Sequence, residues 1–391
     1  MHTLFYFVVA LAAALADDSQ IDEFTTGSRL FTGDVYTQLL SESTANIVVS
    51  PFSAETIVAL TQSGAQGATG DEIRAALHLP DTKEETENAI RAVLPTVHSD
   101  YIALTTANKI FVENNYAIKD DFQKVAKEVY QADFQNIEFG DSEEAAAEIN
   151  KWVEDNTGDK IHELVKPDDL DGSTKIVLVN ALYFQGNWTI PFDPVFTNKT
   201  KFFTSLDSTV DALSMYKESE QLNYYASDEL DAQILEIPFQ GEEATMTFVL
   251  PNQKDGIALL ERQIEKALIT PKYTQEFVQV VLPKFKIEST INFKDVLQKL
   301  GVQKAFDFVE ADFSGIAGEQ GELFIGQAKQ KTYIDVNEIG VEAAAATEIE
   351  GNDSLPPPAT KFFVADHPFM FYIKINDIVL FEGRVLVPEY E

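Results

Sequence analysis

Residues 331–358 read KTYIDVNEIGVEAAAATEIEGNDSLPPP. The stretch begins as a strand, because Tyr333, Ile334, Val336 and Ile339 are β-formers, and it passes through Gly340 into a run of small residues. At strand period one face carries Val341, Ala343, Ala345, Thr347 and Ile349 while Glu342, Glu348 and Glu350 fall on the other, the pattern of a half-buried strand. The same residues are good helix material, since alanine and glutamate have high helix propensity and low β-propensity. Gly340 offers a hinge at one side, and Pro356, Pro357 and Pro358 end any helix or central strand at the other. Two readings stand: a surface helix followed by a proline-rich connector, or a switch in which an exposed loop becomes a buried strand once its far end is released.

Outward from that stretch, the N-terminus looks like a targeting segment. Met1 to Ala16 carries an apolar run from Leu4 to Leu15 and a small-x-small ending at Ala14 and Ala16, followed by Asp17 and Asp18. This fits a secretory signal peptide cut after Ala16, although its front end offers only His2. A run of about 12 apolar residues is too short to span a bilayer. The expectation is a secreted, extracellular chain whose residues 17–391 form one large domain, with no membrane partner.

Composition narrows the class. With 391 residues, 45% hydrophobic and 28 of them Phe, the chain can bury a large core. It has no cysteine, so packing rather than disulfides must hold it, and thiolate metal sites are excluded. A formal charge of −35 argues against nucleic acid and anionic membranes as partners. The short basic runs Lys284 with Lys286, and Lys329 with Lys331, read as solvated strand faces.

The coarse pattern places helices at Arg29–Leu40, Glu55–Ser63, Asp71–Leu77, Glu84–Ser99 (interrupted at Pro95), Asp120–Tyr130, Glu143–Asp155 and Phe293–Leu300. Strands fall at Thr105–Val112, Ala232–Ile237, Thr245–Leu250 and Val278–Leu282, and a hairpin joins Phe369–Ile375 to Ile378–Phe381. Ile176–Phe184 is a nearly continuous apolar run of strand length and reads as a buried central strand. Helices dominate the first half and strands the second, an α+β arrangement.

Catalytic chemistry finds little support. Among His2, His78, His98, His162 and His367 there is no HExxH pair, and the chain has no GxSxG elbow. GAQGATG at Gly64 to Gly70 is neither a phosphate loop nor a dinucleotide fingerprint. Asp168, Asp169, Asp171 and Gly172 suggest a calcium loop, but Pro167 and Leu178 occupy positions where ligands are needed, so the turn reads as structural. No enzyme, no cofactor and no metal site is read from these spacings. Three Asn-x-Ser/Thr sequons occur at Asn187, Asn198 and Asn352; Asn198, in a polar loop, is the best acceptor and Asn352 the poorest.

Several ordered segments then resemble the serpins: NIVVSPFSAETIVALTQSGAQGATGDEI from Asn46, INKWVEDNTGDKI from Ile149, VNALYFQGNW from Val179, ADFSGI from Ala311, NEIGVEAAAAT from Asn337, and DHPFMFYI with LFEGRVLVP near the C-terminus. The resemblance implies three β-sheets, about nine helices and an exposed reactive-centre loop over about residues 338–360 that serves as bait for a serine protease. It further implies suicide-substrate inhibition: the protease cleaves the loop and is trapped as a covalent acyl-enzyme while the freed strand inserts into the main sheet. The hinge would comprise Glu338, Gly340, Val341, Glu342, Ala343, Ala344, Ala345, Ala346 and Thr347. Its inward residues are small enough to fit a closed sheet, and none of them is charged or proline. Roughly a dozen new strand hydrogen bonds at about 1 kcal/mol each would supply a driving force on the order of 10 kcal/mol.

Family registration, counting sixteen residues on from Glu338, puts the scissile bond between Ser354 and Leu355. Cleavage after Leu355 would place Pro356 on the leaving side, where its tertiary amide should resist, so Ser354 is preferred, with Leu355 or Asn352 as fallbacks. No Lys or Arg lies between Gly340 and Ala359, so a trypsin-like preference is not encoded. The resemblance assigns Ser50, Ser53 and Asn180 to a polar cluster beneath the opening sheet and Trp188 to the point where insertion begins. From the residues alone, Ser50 and Ser53 could equally be a helix-start turn. Gln330 stands where the family usually has His, so the resemblance does not extend to pH-linked gating by an imidazole there. The expected partner is an extracellular serine protease, met by a monomer, in an immune or melanisation cascade of the kind that secreted invertebrate serpins restrain. A sulfated glycosaminoglycan such as heparin could act as an accelerator, with no site legible. The alternative is a non-inhibitory serpin serving storage, transport or chaperoning.

Overall fold

The computed structural model describes residues 18–94, 98–99, 102–341 and 357–390. In chain order its main elements are α1 (Asp18–Glu42), β1 (Ile47–Val49), α2 (Pro51–Gly64), α3 (Gly67–Ala76), α4 (Lys83–Val93), β2 (His98–Ser99), β3 (Ile102–Glu113), α5 (Asp120–Glu128), β4 (Asp133–Ile137), α6 (Ser142–Asn156) and β5 (Ile176–Asn187). There follow β6 (Asn198–Ser205), β7 (Ser208–Ser227), β8 (Ala232–Pro238), β9 (Ala244–Pro251), α7 (Ile257–Glu261), α8 (Ile264–Ala267), β10 (Thr274–Pro283), β11 (Phe285–Asn292), α9 (Phe293–Lys299), β12 (Ile325–Val336), β13 (Gly340–Val341), β14 (Lys361–Val364), β15 (Phe369–Ile375) and β16 (Ile378–Val385). The described residues thus form nine α-helices and mixed sheets, an α+β arrangement of the expected kind.

Local signals set most boundaries. Thr82 and Glu85 form a reciprocal capping box at the start of α4, which ends at Val93, so the extension to Ser99 is corrected: His98 and Ser99 pair with β3 instead. Gly301, at φ +102, follows α9 in the left-handed conformation that closes helices. Asn376, at φ +53, turns the β15–β16 hairpin.

Strands β11, β12, β5 and β3 make the body of the main sheet, with β2 and β4 on β3 and the short β13 between β12 and β5 at one end. The remaining strands join in the order β1-β16-β15-β9-β8-β7-β10-β14, with β6 on β7. Two of the three expected sheets are continuous here. β7 runs for 20 residues, pairs with β6 and β10 along one part and with β8 along the other, and so bridges them.

Helix α2 lies between the two sheets and is buried over almost its whole length. Its Glu55 is 1% exposed; one carboxylate oxygen accepts from Ser28 Oγ of α1 at 2.5 Å, and the other has no partner. Burial pushes this carboxyl up to about 8, against the modest opposing effect of the Ser28 hydrogen bond. The outer face of the main sheet is covered by α6, whose Ala145, Ala146, Ile149 and Val153 pack with Phe111, Val177, Val179 and Ala181.

Because the folded value of Glu55 lies above its unfolded value, its contribution to stability is complete below pH 4.5 and is lost as pH rises toward 8. The loss is on the order of a few kcal/mol. In urea unfolding at pH 5 and pH 8, Glu55→Gln should show a smaller fall in midpoint than the unsubstituted protein; equal falls would mean that Glu55 does not change ionisation on unfolding.

Candidate functional site: the opening end of the main sheet

Two strands decide what this sheet can do. β12 and β5 run parallel and are paired from Ile325 with Ile176 to Tyr333 with Tyr183. Beyond Tyr333 they separate, and β13 lies between them, antiparallel to both: Val341 faces Val336 on one side and Gly186 on the other, and Gly340 faces Asn187. The chain therefore starts into the gap, and below it the gap is closed.

Gly340 is there for space. A Cβ on it would lie 2.0 Å from the Gly186 carbonyl oxygen and 2.7 Å from the Asn187 Cα, so only glycine lets the two backbones meet. The hinge function read from its flexibility is thus accompanied by a steric one. Val341 is fully buried in the core. The hinge residues Glu342, Ala343, Ala344, Ala345, Ala346 and Thr347, the Ser354–Leu355 pair, Asn352 and the segment Met1–Ala16 lie outside the described residues.

The residues leading into β13 are held firmly. Trp188 is fully buried, stacks on Phe239 with ring centroids 4.8 Å apart, and donates its indole N–H to the Asn337 carbonyl at 3.0 Å. The Trp188 backbone N–H donates to Ile339 O at 2.8 Å. Glu338 accepts from Lys284 at 2.8 Å and from Thr197 Oγ1 at 2.8 Å, while its carbonyl accepts from Phe192 N. Burial works to raise the Glu338 carboxyl, but the hydrogen bonds from Lys284 and Thr197 outweigh it and hold the group below the usual range. Lys284 and Thr197 were not legible as partners, since nothing local marks a pair so far apart in sequence.

Halfway along the closed part of the gap, three amides stand in one row. Register places Gln330 of β12 opposite Asn180 of β5, and Asn180 opposite Asn108 of β3. Gln330 Nε2 donates to Asn180 Oδ1, and Asn180 Nδ2 donates to Asn108 Oδ1 and, at 2.5 Å, to Ser53 Oγ. Ser53 Oγ in turn reaches Asn108 Oδ1 at 3.3 Å. Ser50 N donates to Gln330 Oε1 at 2.9 Å, Gln330 Nε2 donates to Ser50 O at 2.7 Å, and Ser50 Oγ donates to Leu380 O at 2.5 Å.

Ser50 is thus the residue before α2 but its side chain does not cap the helix, and Ser53 faces the strands. The helix-start reading of these two serines gives way to a network one, because both hydroxyls find partners on the sheets. Asn108 was missed; standing among Thr105, Thr106 and Lys109, it carried no local sign of burial. Every bond in the row is between neutral groups inside a nonpolar interior, so separating β12 from β5 would leave buried amides unpaired, at about 1–3 kcal/mol each.

On the other face the lysines read as solvated are mostly engaged. Lys329 pairs with Asp169, Lys331 with Glu288 at 2.7 Å, and Lys286 with Asp335 at 3.1 Å. The side chains of Lys284, Lys329 and Lys331 are each no more than 13% exposed. That reading is corrected: the acidic surface supplies partners that a local pattern cannot display. Asp169 and Asp171 spend their oxygens within their own turn and on Lys329, as the structural reading of that turn requires. Of the sequons, Asn187 carries the backbone pairing to Gly340 and Asn198 is exposed on β6.

The comparisons agree with this geometry. The sequence model described as "Serpin (serine protease inhibitor)" matches residues 26–388. The chain is 34% identical to Antitrypsin of Bombyx mori, over 96% of this chain and 97% of that protein, and 35% identical to Alaserpin of Manduca sexta, with the same coverage. Among solved structures it is similar to Serpin48 of the insect Tenebrio molitor, described as a highly specific serpin, at a TM-score of 0.89 and 46% identity over 94% of this chain and 99% of that one. With a family match over nearly its full length and a main sheet whose strands β12 and β5 separate around β13, this chain belongs to the serpin family of serine protease inhibitors.

Proposed function

We propose that the chain is a secreted suicide-substrate inhibitor that traps serine proteases by inserting its cleaved loop as a new strand of the main sheet. The observation that carries this reading is β13. Two residues of the loop strand already sit between β12 and β5, in the orientation a full insertion would require, while the rest of the gap stays paired in parallel. Extending β13 would replace one parallel interface by two antiparallel ones, and antiparallel pairing is the more stable per residue. The residues that would follow Val341 inward, Ala343, Ala345 and Thr347, are small and uncharged.

In this mechanism the protease serine attacks the Ser354 carbonyl, the peptide bond to Leu355 breaks, and the new amine leaves with the C-terminal part of the loop. The ester formed holds protease and inhibitor together while residues after Val341 add to the sheet. Insertion competes with hydrolysis of that ester, so anything that slows strand addition releases active protease. The return side of the loop is tied down independently: Ser219 Oγ donates to Pro357 O at 2.6 Å. The leaving segment therefore has a fixed anchor from which the inserting segment can part.

The absence of Lys and Arg from the loop favours a protease that accepts small or apolar residues, and the likeness to insect relatives favours an extracellular immune or melanisation cascade. Secretion rests on the Met1–Ala16 segment; no helix among the described residues is long and apolar enough to cross a membrane. Asn198 is the glycan acceptor on this reading, whereas a glycan at Asn187 would crowd the seat of Gly340.

Incubation with elastase- and chymotrypsin-type proteases should give a complex that survives SDS with at least one of them; clipped chain and fully active protease in every case would sink the inhibitor reading. Ala345→Glu should raise the number of inhibitor molecules consumed per protease at least tenfold, because the carboxylate would have to enter the core. Trapping at unchanged stoichiometry would contradict insertion through this residue. Chain cleaved in the loop should also melt well above intact chain, a difference that calorimetry reads directly.

A further inference from the structure

Where α6 ends, three side chains converge that neither the fold nor loop insertion requires. A carboxylate oxygen of Glu154, one of Asp159 and a ring nitrogen of His162 all lie within 4.8 Å of one another. His162 Nδ1 is 3.1 Å from Glu154 and 3.9 Å from Asp159. All three side chains reach solvent, and the His162 ring lies between the two carboxylates, which would otherwise repel each other.

The backbone keeps them together. Gly158 and Asp159 both adopt positive φ, at +58 and +63, and Asp159 N donates back to Glu154 O at 3.0 Å, so the chain reverses sharply over the helix end. That helix end carries the negative pole of the dipole, and α6 has no basic residue in its last turn to offset it. One imidazole nitrogen with two carboxylate oxygens is a borderline-soft donor set, suited to zinc rather than to magnesium or calcium, with water completing the shell.

The segment that His162 belongs to is fastened to the moving part of the sheet. Lys331 of β12 donates to the His162 carbonyl at 2.7 Å, Gln327 donates to Asp169 O at 2.9 Å, and Lys329 pairs with Asp169. Asn150 of α6 holds Val165 by two hydrogen bonds, of 2.8 and 2.9 Å. The stretch from residue 157 to 170 therefore works as a strap from the end of α6 across to β12, the strand that must part from β5.

We infer that Glu154, Asp159 and His162 form a binding site for a divalent transition-metal ion of the zinc type, and that a bound ion locks the end of α6 to the strap held on β12. This goes beyond inhibitory activity, and the existence of the site does not depend on it. Isothermal titration of the full chain with zinc chloride should show one saturable ion per chain that magnesium does not displace. His162→Gln and Asp159→Asn should each weaken it at least tenfold. Hydrogen exchange over residues 157–166 should slow several-fold on adding zinc to the unsubstituted chain and stay unchanged in His162→Gln. No zinc binding, or equal binding by His162→Gln, would overturn the site; binding with unchanged exchange would overturn the lock. None of these readouts involves a protease, so a failed inhibition assay and a failed metal site would be told apart.

Discussion

A parallel pair of strands held together along most of its length and parted at one end is the constraint on which this structure turns. β12 and β5 are neighbours in the sheet but distant in sequence, and each keeps its other edge occupied, by β11 and β3. Among the described residues, the edges left between them form a gap at one end. Gly340 and Val341 occupy its mouth.

Closure depends on layers of different chemistry. On the inner face the amide row of Gln330, Asn180 and Asn108, joined by Ser50 and Ser53, links all three strands to α2 by neutral hydrogen bonds. On the outer face, lysines of β12 are drawn down onto Asp169, Glu288 and the His162 carbonyl. At the mouth, Trp188 stacked on Phe239 and Glu338 held by Lys284 fix the chain just before it turns in. With Gln330 in the row, no imidazole takes part in it, so the inner layer keeps its hydrogen bonding across ordinary pH. Proton-dependent behaviour belongs to carboxylates outside that row, Glu55 within α2 and Glu338 at the mouth.

The main sheet rests on a frame that is packed throughout. The nine-stranded sheet supplies it: β7 threads through two groups of strands, and the residues of β15 and β16 are buried throughout. Helix α2 lies against this frame: Ser50 Oγ, just before the helix, bonds Leu380 O of β16, and Ser53 within it faces Asn108 of the main sheet.

Much of this was legible in the chain. The periodicities of α6 and α9, the apolar run of β5 and the Asn376–Asp377 hairpin are local signals, and local energetics decide them. The small residues after Gly340 likewise say that this segment can enter a sheet, because side-chain size is a property of sequence. Where it meets the sheet is another matter. The meeting of Gln330 with Asn180 and Asn108, the hold of Lys284 on Glu338, and the steric need for Gly340 against Gly186 join residues scores to hundreds of positions apart. Hydrogen bonds and close contacts act over a few ångströms, so only the folded chain could bring such residues within reach of one another.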